Sequence, residues 1–338
     1  MAKLGEVCLL KAGKFVSAND ISPEYNKGLY PCFGGNGIRG YVADYTHDGE
    51  FPLIGRQGAL CGNVNLASGK FHATEHAVVV QPKIEMNVHW LYYALNAMNL
   101  GQYATGAAQP GLAVSKLETL SIEIPNISEQ NKIAQTLYKV EQLVNFRKQQ
   151  LAKLDELVKA RFVEMFGNKD YPRMKWNNVF NTTTGKLDSN AAVDNGKYPF
   201  FTCSKEPLKI DSYAFDQTAL LLAGNNAAGK YDVKYYQGKF NAYQRTYVLS
   251  LKHNWSYKLF QYQLEDKLLY LQTKSLGGLT KYLTLKILGE LDFIVPPLAL
   301  QNEFAAFVEH VDEQKQTVQQ SLEKLELMKK ALMQEYFG

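Results

Sequence analysis

Residues 128–167 read SEQNKIAQTLYKVEQLVNFRKQQLAKLDELVKARFVEMFG. The stretch has no Pro and no Gly before its last residue. Apolar side chains return at Ile133, Leu137, Val140, Val144, Leu151, Leu154, Val158 and Met165, an alternation of four and three. This is the heptad stripe of a long helix, about 38 residues and about 57 Å at 1.5 Å per residue. Ser128 is the expected N-cap, and Glu129 suits the first turn. Arg147 and Arg161 interrupt the stripe. After Pro296-Pro297 the chain repeats the register with Phe304, Val308, Val311, Val318, Leu322, Leu325 and Leu332, interrupted by Lys315 and Lys329. One helix cannot bury such a stripe alone. The two are therefore expected to pair, and the roughly 120 residues between them permit an antiparallel arrangement.

Working outward, the rest of the chain repeats as well. Tyr30-Pro-Cys-Phe33 matches Tyr198-Pro-Phe-Phe201, Gly69-Lys-Phe71 matches Gly238-Lys-Phe240, Gln130-Asn131 matches Gln301-Asn302, and Phe166-Gly167 matches Phe337-Gly338. The offset is nearly constant along the chain and equals half its length. A period this long means duplicated domains, not a solenoid. In each copy the part before the helix is rich in Tyr, Phe, Val and Gly. Short apolar runs such as Ala77–Val80, Ala219–Ala223 and Tyr247–Leu251 lie between turn formers, which reads as mainly β. Helical pieces are expected at Val88–Ala97 and Trp255–Leu271. The domain reading is 1–126, helix 127–167, 168–298, helix 299–338.

The 338 residues are 46% hydrophobic and 21% charged, an ordinary globular composition with length for two cores. No apolar run approaches the roughly 20 residues of a membrane span. The start, MAKLGEVCLLKAGK, has too short an apolar patch for a signal peptide. A cytoplasmic protein is the expectation. Cys8, Cys32, Cys61 and Cys203 form no C-x-x-C pair and read as reduced small hydrophobes. The net charge of +4 permits an anionic partner without demanding one.

Three motifs invite a catalytic reading and fail on context. His72-Ala-Thr-Glu-His76 fits H-x-x-E-H, but Phe71–Val80 ends in three valines and favours a strand. On a continuous strand positions i and i+4 lie about 13 Å apart, too far for one zinc ion. Gly35-Asn-Gly-Ile-Arg-Gly40 fits G-x-G-x-x-G, yet Tyr41-Val-Ala-Asp-Tyr follows where a Rossmann site needs a helix. A glycine-rich hairpin is the better reading. Gly224-Asn-Asn-Ala-Ala-Gly-Lys230 approaches a P-loop, but Tyr231 replaces the metal-binding Ser or Thr and no helix follows. No catalytic and no metal-binding residue is assigned.

What remains is two β-rich domains with unlike loops on rigid helices. The loops of copy one carry Arg39, Arg56, Gln57, Asn63, Lys70 and Gln109. Those of copy two carry Lys205, Asn225, Asn226, Lys230, Lys234, Gln244, Arg245 and Lys281. Arg and Lys suit phosphates and guanine, and Asn and Gln suit adenine edges. These are the candidate DNA contacts; for any one of them, a solvated loop residue is the plainer reading.

The organisation resembles the specificity subunit of type I restriction-modification enzymes. The carrying features are the duplication, the long helix closing each copy, and the helix lead-ins Ile124-Pro-Asn-Ile-Ser-Glu-Gln-Asn131 and Val295-Pro-Pro-Leu-Ala-Leu-Gln-Asn302. The helix ends Arg161–Gly167 and Met333–Gly338 fit too, as do the loops Gly106–Gly111 and Gly277-Gly278. The first lead-in departs from paired prolines, with Asn126 in the second place. The resemblance implies an α+β fold: two mainly β target recognition domains joined by two long antiparallel coiled-coil helices with pseudo-two-fold symmetry. It implies that each domain reads half of an asymmetric bipartite site in double-stranded DNA. The helices would act as spacer and as docking platform for two methyltransferase subunits, with restriction/translocase subunits joining them. S-adenosylmethionine, ATP and Mg would belong to those partners, and this chain would hold no cofactor. The alternative is a coiled-coil scaffold or a binding module of another defence system, without DNA readout.

Overall fold

The computed structural model describes residues 1–106, 110–167, 169–227 and 229–338. The chain divides into two compact units, residues 1–149 with 319–338, and residues 150–318. Each unit holds one globular part and half of each long helix.

In the first unit, β1 (Ala2–Lys3) pairs antiparallel with β10 (Ser121–Ile122). Four strands, β2 (Cys8–Ala12), β9 (Ala77–Pro82), β6 (Phe51–Gly55) and β7 (Val64–Ala67), form one antiparallel sheet in that order. A second sheet runs β4 (Gly37–Val42), β3 (Tyr30–Gly34), β8 (Lys70–Ala73), β5 (His47–Asp48), and its β3–β8 pair is parallel. The apolar run Ala77–Val80 is explained by its central place, with partners on both edges and cover on both faces. Alternation sends Val78 and Val80 to a core with Leu10, Ile54 and Trp90, and Ala77 and Val79 to a second core with Phe33, Leu53 and Phe71. Helix Val88–Ala97 starts where Asn87 Oδ1 accepts the Trp90 N–H at 2.9 Å and buries Trp90, Leu91 and Tyr93 in the first core.

The second unit repeats the plan in a fused form. Strand β11 (Arg173–Lys175) pairs with β20 (Asp292–Ile294). One six-stranded sheet contains β12 (Phe180–Thr184), β18 (Thr246–Leu251), β15 (Phe215–Ala223), β17 (Val233–Ala242), β13 (Tyr198–Phe201) and β14 (Leu208–Ile210). A small pair, β16 (Asn225–Asn226) and β19 (Lys281–Tyr282), stands apart. Strand β17 takes the place of β7 and β8 together. Its first part pairs with β15 and its end runs parallel to β13, Phe201 facing Ala242 as Phe33 faces Ala73. Again alternate residues serve two cores, Leu220 and Leu222 one, Ala219 and Leu221 the other. The helix expected over Trp255–Leu271 is two helices, Tyr257–Asp266 and Leu268–Lys274.

Each long helix has 40 residues, the central one Ile127–Phe166 and the distal one Leu298–Phe337. The central helix starts at Ile127, two residues before the start that an N-cap at Ser128 would give. Asn126, not Ser128, caps it, its Oδ1 accepting the Glu129 N–H at 3.0 Å. The helices pair antiparallel within each unit. In the first unit Glu141 meets Lys329 and Lys148 meets Glu326, and in the second Asp155 meets Lys315 and Arg161 meets Glu303. Along the stripe Ile133, Leu137, Val140, Val144, Leu154, Val158, Phe304, Val308, Val311, Val318 and Leu322 are buried. Leu151, Leu325 and Leu332 are half-buried. Ile133 and Leu137 pack into the first unit's globular core, where Leu332 also lies, and Phe304 packs against Phe162, Phe166 and Tyr262. The charged interruptions serve the same pairing. Arg147 Nε donates to Ser321 Oγ at 3.2 Å, and Arg161, Lys315 and Lys329 each reach an acid of the other helix. No helix among the described residues is long and apolar enough to cross a membrane.

Candidate nucleic-acid interface

In copy one, four segments meet at one end of the sheets: the β3–β4 hairpin tip, the loop after β6, the turn between β8 and β9, and residues 105–112 without 107–109. Two glycines allow the approach. A Cβ on Gly55 would stand 1.9 Å from the Gly35 carbonyl oxygen, so no side chain fits there. Backbone bonds fix the rest: Arg56 N–H to His76 O at 3.0 Å, Gly58 N–H to Pro110 O at 3.0 Å, and Leu112 N–H to Arg56 O at 2.9 Å. Asn63 Nδ2 donates to Asn36 Oδ1 at 3.1 Å. Arg39, Arg56, Gln57 and Asn63 thus share one end. Lys70 does not. It opens β8 at the opposite end, beside Asp48 and over the Tyr45 ring at 4.7 Å. Gln109 lies outside the described residues.

In copy two the corresponding end gathers the candidates more fully. Gly224 N–H donates to Arg245 O at 2.8 Å, and the β16–β19 pair places Asn225 and Asn226 against Lys281 and Tyr282. Lys230 N–H reaches Asn226 Oδ1 at 3.3 Å, and Gln244 Nε2 donates to Asp188 Oδ2 at 3.2 Å. Lys234 Nζ donates to Ser204 O at 3.0 Å and pairs with Asp232; exposed Lys205 follows Ser204. A cleft of about 310 Å³ opens between Thr184, Gly224, Gln244, Arg245, Tyr247 and Tyr282. Lys205, Lys230, Arg245 and Lys281 form no ion pair among the described residues, which leaves their charge available to an anion.

The catalytic motifs resolve into framework. Gly35–Gly40 is the β3–β4 hairpin, Gly34 facing Gly37. Gly224–Lys230 leads to β17 and not to a helix. His72-Ala-Thr-Glu-His76 is not the continuous strand expected of it, because β8 stops at Ala73 and β9 starts at Ala77. The separation drawn from an unbroken strand therefore does not apply. His72 Nε2 lies 3.1 Å from Lys14 O, and no group of three metal-ligating side chains occurs among the described residues. All four cysteines are free, but Cys203 is not a buried hydrophobe: its thiol donates to Asn225 Oδ1 at 2.8 Å.

A repeated device mounts each globular part on its helix. Gln130 Oε1 accepts the Asn87 N–H at 2.9 Å while Nε2 donates to Pro125 O at 2.8 Å. Gln301 Oε1 accepts the Ser256 N–H at 3.0 Å while Nε2 donates to Pro296 O at 2.8 Å. The two glutamines are 2% and 1% exposed, so these bonds are their satisfaction. Each ties the start of a short helix to the lead-in of a long one. The same short helices also hold an acid of the long helices. Tyr93 Oη donates to Glu141 Oε2 at 2.9 Å, and Lys258 Nζ to Asp312 Oδ2 at 2.7 Å. The Gln-Asn repeat in the sequence is the signal of this device. Asn36, Glu75 and His76 also belong to the end of copy one, and nothing in their local sequence announces it.

A family model described as type I restriction modification DNA specificity domain matches residues 1–156 and again 168–327. The chain is similar to the EcoprrI type I restriction enzyme specificity subunit of Escherichia coli, 53% identical over 143 residues, 42% of this chain and 36% of that one. It is similar to the EcoDI specificity subunit of the same species, 51% identical over 80 residues, 24% of this chain and 17% of that one. The matched stretch thus spans about a third or less of each of these relatives. In fold it is similar to the type I restriction-modification S subunit from M. genitalium, with a TM-score of 0.71 at 19% identity, covering 99% of this chain and 95% of that one.

Proposed function

Because the chain belongs to the type I restriction-modification DNA specificity domain family, we propose that it is the sequence-reading subunit of a type I restriction-modification complex. Each globular part reads one half of an asymmetric bipartite site in double-stranded DNA. The observation that carries this reading is one framework with two different ends. The sheets, the paired helices and the buried glutamines recur, while the side chains at the ends do not. A two-fold reader contacts two half-sites at a separation its own body fixes. Unlike ends read unlike half-sites.

In this reading Arg39, Arg56, Gln57 and Asn63 serve the first half-site, and Lys205, Asn225, Asn226, Lys230, Lys234, Gln244, Arg245 and Lys281 the second. Lysines position the phosphates, and Asn, Gln and Arg read base edges. The paired helices set the spacer and dock two methyltransferase subunits, which restriction/translocase subunits join. Chemistry, and with it S-adenosylmethionine, ATP and Mg, belongs to those subunits, and the assembly works in the cytoplasm. A net charge of +4 supports only weak binding by the chain alone, since tight DNA binding draws on many phosphate contacts.

Mapping methylated adenines in the source cell with and without this gene tests the reading. One asymmetric bipartite motif should vanish with the gene. Gel shifts across a salt series add a second test: binding falls with salt and tightens when methyltransferase subunits are added. A chain with no salt-dependent binding in either setting is a scaffold and not a reader. Residues inserted within Leu151–Arg161 should alter the spacer and leave the half-sites unchanged.

A further inference from the structure

The backbone of the turn Thr74–His76 belongs to the framework, but the side chains of Glu75 and His76 serve neither it nor the candidate contacts. The turn's place in the fold is specific. Ala73 ends a strand parallel to Phe33, and the next strand resumes at Ala77. In copy two Ala242 ends a strand parallel to Phe201, and the next resumes at Thr246. Position by position, Glu75 and His76 are the counterparts of Gln244 and Arg245. Both turns are tied to the same neighbouring loop, through Arg56 N–H to His76 O and Gly224 N–H to Arg245 O.

Glu75 is not committed to the interior. Its side chain is 34% exposed, and His76 Nε2, 3.2 Å from Oε1, is its one ion-pair partner among the described residues. Arg39 and Glu75 both act on Cys32, whose thiol burial raises first of all, so both lie near that strand. Glu75 Oε2, His76 Nδ1, Arg56 Nε and the oxygen of fully buried Thr74 have no hydrogen-bond partner among the described residues. With one carboxylate oxygen on His76 and the other unpaired, the part-exposed Glu75 side chain keeps acceptor capacity that a small rotation presents to a partner at this end. A carboxylate gains nothing from phosphates or from acceptor edges of bases. The donor it suits in the major groove is an exocyclic amino group, above all N4 of cytosine.

We propose that Glu75 is a specificity-determining residue of copy one, its carboxylate accepting a hydrogen bond from cytosine N4 in the first half-site. His76 orients it, and Arg39 and Arg56 stand at the same end of the copy. The inference rests on the DNA-reading function proposed above and names the base class that one side chain of it selects.

The test replaces the gene in the source cell with Glu75→Ala, Glu75→Gln or Gln244→Ala and maps methylated adenines. Glu75→Ala should relax one cytosine of the first half-site, discrimination there falling about tenfold, with the second half and the spacer unchanged. Glu75→Gln keeps the shape and should shift the same position toward adenine, which an amide pairs through N6 and N7. Gln244→Ala should relax the second half alone. Should Glu75→Ala fail to accumulate, Glu75→Gln carries the test. An unchanged first half in Glu75→Gln overturns the proposal, as does relaxation spread across both halves. A wild-type gene that governs no bipartite motif takes down the functional reading itself, a different result from an unchanged motif.

Discussion

The two globular copies are alike where they meet the helices and unlike where they end in loops. At the helix side, Gln130 and Gln301 make the same pair of bonds to the same kinds of backbone group, at matching lengths. At the loop side, Glu75-His76 stands where copy two has Gln244-Arg245, and Lys230 and Lys281 have no cationic counterpart placed by the same elements. The strands show both tendencies. Copy one interrupts β7 and β8 at Ser68-Gly69, whereas copy two runs β17 straight through Gly238, which keeps a φ of +124°. Duplication fixes what must dock on a helix and leaves free what faces outward. Altering equivalent positions in the two copies is therefore the way to test how far the equivalence extends.

The largest expected effect lies at the helix bases. Phe304 is fully buried, with Phe162, Phe166 and Tyr262 at ring separations of 5.4–5.7 Å, and Ile133 holds the equivalent place in copy one. Phe304→Ala should cost about 3–5 kcal/mol and Ile133→Ala about 2–4 kcal/mol in urea unfolding. Equal costs would mean that the aromatic cluster adds nothing beyond size. Next come the glutamines. Gln130→Leu and Gln301→Leu each leave one N–H and one carbonyl buried without a partner, for about 2–4 kcal/mol apiece. A silent change in one copy would break the equivalence drawn from their geometry.

Periodic and local features are legible in the sequence, and features set by distant contacts are not. The helix stripe recurs every turn or two, so a handful of its residues suffices to announce it. Ala77–Val80 reads as a strand because a β-branched run buried on both faces has few other places to go. The turn at Thr74–His76 is hidden, since it has no Gly, Pro, Asn or Asp and three valines follow. It exists because the chain there leaves one sheet for the other, a condition set by β3 and β6, strands remote from it in sequence. Asn126 and Ser128 are both good caps, and only the folded lead-in, where Gln130 must reach Pro125 O, selects Asn126. Lys70 and Arg39 look equally placed in the sequence, yet the parallel β3–β8 register sends Lys70 to the other end.

Tyr93 and Tyr262 give a comparison that reads out in pH. Both sit at equivalent places on the short helices. Burial raises each hydroxyl above its ordinary value, with Glu141 adding to the effect on Tyr93, and Tyr262 is pushed up to about 12, Asp266 and Glu265 adding to it. The neutral form is thus favoured in the folded chain. Their contribution to stability is present below the unfolded value near 10 and is lost as pH rises above it, for Tyr262 between about 10 and about 12. Tyr262→Phe should flatten the alkaline limb of the stability curve, and Tyr93→Phe should flatten it too while releasing Glu141. A limb unchanged in both variants would place the alkaline loss elsewhere.

The smallest effects belong to the ion pairs along the helices, and here two pairs of one unit can be set against each other. Lys329–Glu141 is 33% and 27% exposed, and Glu141 also takes the Tyr93 hydroxyl, so the acid is held from two sides. Lys148–Glu326 is 56% and 50% exposed and has no such support. Water and salt screen the second pair more than the first. Lys329→Met should cost about 1 kcal/mol, since it strands a half-buried carboxylate at a seam position, and the cost should persist at high salt. Lys148→Met should cost no more than about 0.3 kcal/mol and vanish at about 1 M salt. If the two substitutions cost the same, the lysine in the stripe at Lys329 is a surface charge that happens to fall on the heptad and does not help set the pairing of the helices.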